Sequence, residues 1–329
     1  MLTRPLVSII IPTYNRASLL CRAIDNILEQ TWKHIELIIV DDGSTDDTLQ
    51  RLRSYGDRIR VVTQPNRGPA VARNRGLAIA RGEIVAFQDS DDLWKPTKLE
   101  RQVQLMERLG PTVPCCLSNM DLGFIRGRKQ TSFSYAGIQL RDQEGLWTNV
   151  AEVLATRFVF FNQAAAIRKS ILEKLGGFDE TLIYLEDYDL SLRLALQGPW
   201  VVIRDPLVLY GNDADNRYSD LAMKDIQALR QDETWILKRS ITAAIADDEL
   251  RVEKLLTLNL RHLQRQELAY KLNASRSVVH QIAAKTLYHA DRVLQGLYTR
   301  SVWYPRPEIS PLESTMHQQN LHATAASSS

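Results

Sequence analysis

Short runs of β-branched and aliphatic residues, each followed by a helix-like segment, constrain the fold of this chain most strongly. Three of them are Val7 to Ile11, Glu36 to Val40 and Ile84 to Phe87. They are apolar on both faces, as expected of central parallel strands that helices cover on both sides. Helical spacing recurs between them, for example over Pro69 to Ala80. This alternation predicts an α/β fold with a mostly parallel sheet.

Polar residues follow the predicted strands, where open α/β sheets bind their ligands. Thr13 and Tyr14 follow the first strand, and Asp41 and Asp42 end the second. No G-x-G-x-x-G follows the first strand, and no Walker sequence occurs in the chain. The sequence therefore favours neither hydride transfer nor a Walker-type nucleotide site.

The strand that ends at Phe87 is followed by an acidic cluster, Asp89, Asp91 and Asp92, with Ser90 between the first two. Three carboxylates at close quarters repel one another. A hard divalent cation, Mg²⁺ or Mn²⁺, would relieve that repulsion and is usually shared with substrate phosphates. The alternative is an acidic turn that caps the following helix.

A second acidic cluster, Glu186, Asp187 and Asp189, begins another predicted helix. Acidic side chains in a first turn complement the helix dipole, which is the interpretation we prefer for Asp189. Asp187 is the better candidate for an active-site carboxylate that accepts a proton. Residues 35 to 261 contain no histidine, so a histidine base or a histidine-bound zinc in that stretch is not supported.

Composition narrows the setting in which the protein works. A net charge of +2 gives no attraction to nucleic acid, so no nucleic-acid partner is expected. The three cysteines have neither disulfide nor metal spacing, which favours a reducing compartment. The N-terminus enters a strand pattern directly, and no run approaches the roughly 18 apolar residues of a spanning helix. We expect a cytoplasmic protein, with contact to the inner face of the cytoplasmic membrane left open.

Six motifs occur in order along the first two thirds of the chain. They are PTYNR at 12–16, DDGSTD at 41–46, ARNRG at 72–76, DSDD at 89–92, GGFDE at 176–180 and EDYDL at 186–190. With these motifs the chain resembles glycosyltransferase family two. Its members invert the configuration at the anomeric carbon of the sugar and have the type-A nucleotide-diphospho-sugar transferase fold. The resemblance covers roughly residues 5 to 215.

The resemblance implies an organisation of the chain. A catalytic domain is expected over residues 1–215, with a nucleotide-sugar half over about 1–110 and an acceptor half over about 111–215. Its sheet would be Rossmann-like and mostly parallel. A helical C-terminal extension is expected over 216–304, followed by a flexible tail over 305–329.

The resemblance also implies roles for individual residues. The nucleotide-sugar site would contain Pro12, Thr13, Tyr14, Asn15, Arg16, Asp41, Asp42, Arg73, Asn74, Asp89, Ser90 and Asp91. Within this set, Asp42 would read the uracil-like edge of the base, and Ser90 and Asp91 would face the ribose and the metal.

The metal, catalytic and acceptor residues follow in the same way. Asp91 and Asp92 would hold Mn²⁺ or Mg²⁺, and Asp213 would replace a histidine that many relatives have after the last core strand and this chain lacks. Asp187 would be the catalytic base, with Glu186 contacting donor or acceptor sugar. The acceptor side would be shaped by Gly177, Phe178 and Asp179.

The reaction that these expectations imply is a metal-assisted single displacement. A sugar would move, with inversion, from a nucleotide-diphospho-sugar, with a UDP-hexose expected, to a hydroxyl of a cell-surface glycan or glycolipid. Two alternatives are a sugar-phosphate nucleotidyltransferase and an inactive nucleotide-sugar-binding module. The first would favour a glycine-rich basic loop in place of PTYNR, and the retained Asp91, Asp92 and Asp187 argue against the second.

The C-terminal third is leucine-rich and mildly basic. Such helices pack on their own domain, pair with a second copy of the chain or lie on a membrane surface. A homodimer and a peripheral membrane contact through these helices both remain open from the sequence.

Overall fold

A computed structural model describes residues 4–125, 127–157, 160–211, 225–246, 249–273 and 305–312. The strands are β1 (Val7–Thr13), β2 (Ile35–Asp41), β3 (Arg60–Thr63), β4 (Ile84–Phe87), β5 (Leu93–Trp94), β6 (Cys115–Ile125), β7 (Arg128–Thr131), β8 (Glu144–Trp147), β9 (Ala165–Arg168), β10 (Trp200–Leu209) and β11 (Ile309–Pro311). The α-helices are α1 (Ala17–Leu28), α2 (Thr48–Leu52), α3 (Pro69–Ile79), α4 (Lys98–Leu109), α5 (Ser132–Tyr135), α6 (Val150–Leu154), α7 (Lys169–Lys174), α8 (Glu186–Ala195), α9 (Ile226–Ala246) and α10 (Leu250–Asn273).

All strands join one sheet in the order β11-β8-β10-β6-β9-β4-β1-β2-β3, with β5 paired to β10 and β7 to β6. The strands β3, β2, β1 and β4 are parallel to one another. Strand β9 runs antiparallel between β4 and β6, and β6 is parallel to β10. The predicted fold class is confirmed: the chain has an α/β fold around a central sheet, with further helices after it.

The register of the parallel strands brings the polar motifs to one edge. Thr13 pairs with Asp41, and Asp41 pairs with Thr63 on the other side. Ile10 pairs with Phe87, so the acidic segment after β4 begins beside the end of β1. Because the strands are parallel, their carboxyl ends lie together and their polar residues share that edge.

The core explains why these strands are central. Ile9, Ile10 and Ile11 of β1 are completely buried, although successive residues of a strand point to opposite faces. Both faces of β1 are therefore covered. Helix α1 buries Leu20 and Ile24 at helical spacing, as the sequence pattern predicts.

Apolar runs in the sequence also predict strands at 113–119, 158–167, 200–203 and 207–210, and the structure differs from these predictions in three respects. The predicted strand Val113 to Asn119 begins at Cys115 and continues to Ile125. The two short strands expected at 200–203 and 207–210 are one strand, β10, whose register shifts beside Pro206 because proline interrupts a ladder without ending the strand. The apolar run expected at 158–167 is a strand only from Ala165, since residues 162–164 form a 3₁₀ turn, and residues 158–159 lie outside the described part.

The predicted flexible tail begins too early, because residues 305–312 pack against the domain and Ile309–Pro311 join its sheet. Strand β11 pairs with β8. Asn149 donates to the carbonyl of Arg306 and accepts from the amide of Glu308, and Leu312 is buried. The rest of the predicted tail lies outside the described residues, as do parts of the predicted extension other than α9 and α10. Among the helices that are described, none is long and apolar enough to cross a membrane.

Candidate active site

The loops after β1 and β2 are joined through Asn15. Its backbone is left-handed, with φ of 51°. The Asn15 side-chain oxygen accepts a hydrogen bond from the amide of Thr45 at 2.7 Å, and the Asn15 amide donates to the hydroxyl of Ser44 at 2.9 Å. Asparagine tolerates this conformation better than most residues. Asn15 therefore aligns the PTYNR loop with the DDGSTD loop.

Residues expected around the nucleobase differ in how much they are already engaged. The two carboxylate oxygens of Asp42 accept from Gln64 and from the amides of Arg67 and Gly68, at the start of α3. Tyr14 is 45% exposed, whereas the Thr13 hydroxyl is buried and has no partner among the described residues. Asp42 thus organises the loop before α3, and its reading of a base edge stays a prediction.

Asp92 is the most enclosed carboxylate of the DSDD segment, at 1% exposure. It accepts hydrogen bonds from the side-chain amide of Gln163 at 2.6 Å and from the backbone amide of Gly211 at 2.8 Å. Burial, followed by the neighbouring Asp89 carboxylate, raises the pKa of Asp92 well above its usual value. These contacts suit a residue that anchors the loop.

Asp91 and the segment after β10 meet at a close backbone contact. A Cβ atom added to Gly211 would lie 1.9 Å from the carbonyl oxygen of Asp91. Glycine is therefore required at Gly211 for the chain to pass this loop. Asp91 itself is one fifth exposed and pairs with Arg16 at 3.3 Å.

The donor set fits a divalent cation only as an ion shared with a ligand. Among the described residues, no three histidine, cysteine, aspartate or glutamate side chains are grouped to hold a metal ion. An ion such as Mg²⁺ commonly takes one or two carboxylates and completes its shell with waters and phosphates. The more exposed Asp91 fits that pattern better than the enclosed Asp92, and Asp213 lies outside the described residues.

Arg73 of α3 connects both acidic clusters. Its guanidinium donates to Asp89 at 2.9 Å and to Glu186 at 2.7 Å, and its carbon lies 5.5 Å from the centre of the Phe178 ring. Burial disfavours its charge, but the two carboxylates outweigh burial and raise the pKa of Arg73. A buried arginine paired in this way fixes the end of β4 against the start of α8.

Asp187 lies beside this network in the first turn of α8 and is half-buried. Burial raises the pKa of Asp187 to about 7, the Glu186 carboxylate adds to the rise, and Arg73 opposes it. A carboxylate with a pKa near neutrality is suited to accept a proton in catalysis. The residue before Glu186, Leu185, has φ of 56°, so the turn into α8 is strained.

The residues expected on the acceptor side are engaged within the protein. Phe178 is buried and packs edge-on against Phe87, with ring centres 5.0 Å apart. Asn74, expected near the base and diphosphate, instead exchanges two hydrogen bonds with the backbone of Phe178. Asp179 pairs with Arg239. Their contact with an acceptor stays a prediction, and the observed contacts shape the loop.

Two residues at the site were not foreseen from the sequence. Gln163 holds Asp92 from a segment about 70 positions later, and no local pattern marks it. Gly211 could have been noticed, since an isolated glycine at the end of a strand often marks a close backbone approach. Arg73 and Asp89 were both singled out, but their pairing with each other was not.

Comparison with known proteins finds a matching family model and related sequences. The model of glycosyl transferase family 2 matches residues 8–176, just over half of the chain. An uncharacterized glycosyltransferase of Rickettsia typhi is 35% identical over 186 residues, which are 56% of this chain and 57% of that protein. A putative teichuronic acid biosynthesis glycosyltransferase of Bacillus subtilis, TuaG, is 39% identical over 146 residues, 43% of this chain and 50% of that protein. The chain thus spans about half the length of these relatives.

Solved structures show the same fold at low sequence identity. TarS of S. aureus, residues 1–349, superimposes with a TM-score of 0.60 at 19% identity, covering 91% of this chain and 93% of that one. The mannosyltransferase PcManGT from Pyrobaculum calidifontis, solved with GDP-Man and Mn²⁺, gives a TM-score of 0.54 at 22% identity, covering 91% and 89%.

Proposed function

Since this chain belongs to glycosyl transferase family 2, we propose that it moves a sugar from a nucleotide-diphospho-sugar to an acceptor hydroxyl in a single, inverting displacement. Asp187 is the general base in this proposal. The nucleotide lies over the ends of β1, β2 and β4, beside Tyr14, Asp41 and Asp91.

The environment of Asp187 is the observation that carries the proposal. Its carboxylate has a pKa of about 7 and stands at the start of a helix that Arg73 ties to the end of β4. The proposed base is therefore held next to the edge of the sheet where the donor is expected. The buried ion pair between Arg73 and the adjacent Glu186 restricts its movement. General bases contribute most when their pKa lies near the working pH.

The proposed step involves two bonds and one proton. The acceptor oxygen attacks the anomeric carbon from the face opposite to the diphosphate, and the bond between that carbon and the phosphate oxygen breaks. Asp187 takes the proton of the acceptor hydroxyl, and the bonding electrons leave with the nucleoside diphosphate. Arg16, 3.3 Å from Asp91, lies where its charge would favour the departing anion.

Asp91 would hold a divalent cation at this site, with Asp92 fixing the loop beneath it. When bound, such an ion neutralises charge on the departing diphosphate. PcManGT was solved with Mn²⁺, which supports testing this ion first.

A UDP-hexose is the proposed donor, and a hydroxyl of a cell-surface polysaccharide or glycolipid the proposed acceptor. A TarS structure contains UDP-GlcNAc, and TuaG is named for teichuronic acid biosynthesis. These names support an envelope polysaccharide as the product class. We propose that the reaction takes place on the cytoplasmic side, with the C-terminal helices available to a membrane surface or a second copy of the chain.

A donor panel tests the proposal. The purified protein is incubated with UDP-, dTDP- and GDP-sugars, with Mn²⁺ or with EDTA, and release of nucleoside diphosphate is measured. We expect release from one donor class, dependent on the ion and reduced at least 100-fold in Asp187→Asn, within the range for loss of a general base. Asp47→Asn, at an exposed surface carboxylate, is the matched control and should retain wild-type rates.

Two results would contradict the proposal. One is equal release by wild type and Asp187→Asn. The other is the absence of both turnover and thermal stabilisation with every nucleotide and ion in the panel. Formation of a nucleotide-diphospho-sugar and free pyrophosphate, when the protein is given a nucleoside triphosphate and a sugar phosphate, would instead support the nucleotidyltransferase alternative.

A further inference from the structure

Helix α9 contacts the segment that leads into Asp187, and both the helix and that segment lie beyond residues 8–176, which the family model matches. Asp232 of α9 is 7% exposed and accepts hydrogen bonds from the backbone amides of Ile183 and Tyr184. These amides come just before the strained Leu185. Asp232 therefore holds the approach to the turn from which Asp187 projects.

The same helix also contacts α8 one turn after its start. Asp189 is completely buried and pairs with Arg193 of its own helix and with Arg239 of α9. Arg239 pairs in addition with Asp179 of the GGFDE loop, at 2.5 Å. A buried carboxylate that loses one of its cations is strongly destabilised, so α8 is tied to α9 through this position.

These contacts surround a backbone conformation that needs support. Leu185 has φ of 56° and ψ of 21°, a left-handed conformation that is unfavourable for a residue other than glycine. Such a residue persists only when its surroundings hold it. Asp232 acts before Leu185, and the Arg239–Asp189 pair acts after it.

We propose that Asp232 and Arg239 of α9 are positioning residues, which hold the turn at Leu185 so that Asp187 faces the reacting sugar. The inference rests on the proposed role of Asp187 and adds to it a part of the chain outside the family match. Helix α9 then supports the catalytic base without touching substrate. Its loss affects turnover more than donor binding, because the donor loops at Asn15 and Asp42 have their own supports.

The test compares three positions on α9 in the full-length protein. Arg239→Met and Asp232→Ala remove the proposed contacts, and Arg239→Lys keeps the charge. Lys238→Met is the matched control. Lys238 is exposed on the same helix, and its substitution removes one positive charge, as Arg239→Met does. Hydrogen exchange of the peptide spanning residues 181–190, donor affinity by calorimetry and kcat are measured for each variant.

We expect amide exchange at residues 183–187 to rise at least tenfold in Arg239→Met and Asp232→Ala. We expect kcat to fall 10- to 100-fold with donor Kd within twofold of wild type. Arg239→Lys should recover part of kcat, and Lys238→Met should match wild type in all three measurements. Exchange or kcat equal to that of Lys238→Met would overturn the proposal, as would an equal loss of donor affinity and turnover.

Failure of the proposed function gives a different pattern. If Asp187→Asn keeps wild-type turnover, the base has been wrongly assigned. The exchange measurement still decides whether α9 holds the turn, because it needs no substrate.

Discussion

At the scale of single residues, Arg73 determines how the site is assembled. It pairs with both Asp89 and Glu186, which are 97 positions apart in the sequence. Each of the three belongs to a recognisable motif. Their combination places one buried cation between two carboxylates, next to the proposed base.

The pH dependence of kcat should report this arrangement. Burial and Glu186 raise the pKa of Asp187 to about 7, and the base acts when deprotonated, so kcat should rise with pH and reach half its plateau near pH 7. Asp187→Asn should have a low kcat that lacks this rising limb of the pH profile. The measurement is kcat with saturating donor from pH 5 to 9.

Two neighbouring substitutions should move that limb in opposite directions. Glu186→Gln removes a negative neighbour and should shift the midpoint to lower pH. Arg73→Gln removes the positive neighbour and should shift it to higher pH. Shifts of the same sign in both variants would show that the limb does not belong to Asp187.

Gly211 offers a second test at this scale. Gly211→Ala places a Cβ atom against the Asp91 carbonyl and should lower stability by about 2 kcal/mol or more, because backbone must move to admit it. Gly110→Ala is the control: the space there is open, but φ of 75° with ψ of −168° is a backbone conformation almost confined to glycine, so we expect about 1–3 kcal/mol from backbone strain alone. Urea unfolding measures both.

The same pair separates site damage from general instability. Nucleotide affinity in the presence of Mn²⁺ should fall in Gly211→Ala and stay unchanged in Gly110→Ala. Equal affinities in the two variants would show that the contact between Gly211 and Asp91 has no bearing on ligand binding.

The carboxylates of the candidate active site could be predicted from the sequence, because each follows a strand or begins a helix. Their partners could not be predicted in the same way. Gln163 reaches Asp92 and Arg239 reaches Asp189 across long separations, and neither position has a periodicity or motif of its own. Asp42 shows a different limit of the sequence prediction. It belongs to a motif expected to bind the nucleotide, yet it also accepts a hydrogen bond that holds the loop before α3.

At the scale of elements, helix α4 begins with a buried lysine that the proposed reaction does not use. Lys98 is completely buried, lies 3.7 Å from the centre of the Trp94 ring and donates to Gln102. Burial lowers the pKa of Lys98 to about 7. Burial of the charged form of Lys98 therefore lowers the free energy of unfolding by an amount that depends on pH.

Stability should rise with pH because of Lys98. Its pKa is lower in the folded chain than in the unfolded chain, so the unfolded state binds more protons between about pH 7 and 10.5. The free energy of unfolding should increase through that range, by at most about 1.4 kcal/mol per pH unit. Lys98→Met should reduce this slope in urea titrations at pH 7, 8 and 9, and an unchanged slope would contradict the assignment.

Strand β11 is the element that the sequence pattern missed. A three-residue strand has too little periodicity to be predicted, and it forms because β8 offers an edge and Gly145 leaves room for Ile309. A Cβ atom on Gly145 would lie 2.3 Å from the Ile309 side chain. The pairing is thus a tertiary effect.

Removal of β11 should destabilise the domain. A chain ending at residue 304 loses the pairing with β8 and the two bonds to Asn149, and we expect its Tm to fall by about 5 °C. A chain ending at residue 312 keeps them and is the control. Equal Tm values for the two truncations, by calorimetry, would show that β11 contributes nothing.

At the scale of the whole molecule, the elements that carry the proposed donor loops differ from those that carry the proposed base. The parallel strands β1, β2 and β4 present the proposed donor loops, while α8 and α9 present and support the proposed base. Arg73 connects these two groups of elements, because it pairs with Asp89 after β4 and with Glu186 of α8. This architecture predicts that donor binding and turnover can be separated by mutation.

The most direct test of the account is a comparison of donor affinity and turnover in Asp187→Asn, using the donor identified by the panel. We predict a Kd within twofold of the wild-type value together with at least a 100-fold loss of kcat, as expected for removal of a general base. Wild-type turnover in this variant, or a loss of donor affinity as large as the loss of kcat, would contradict it.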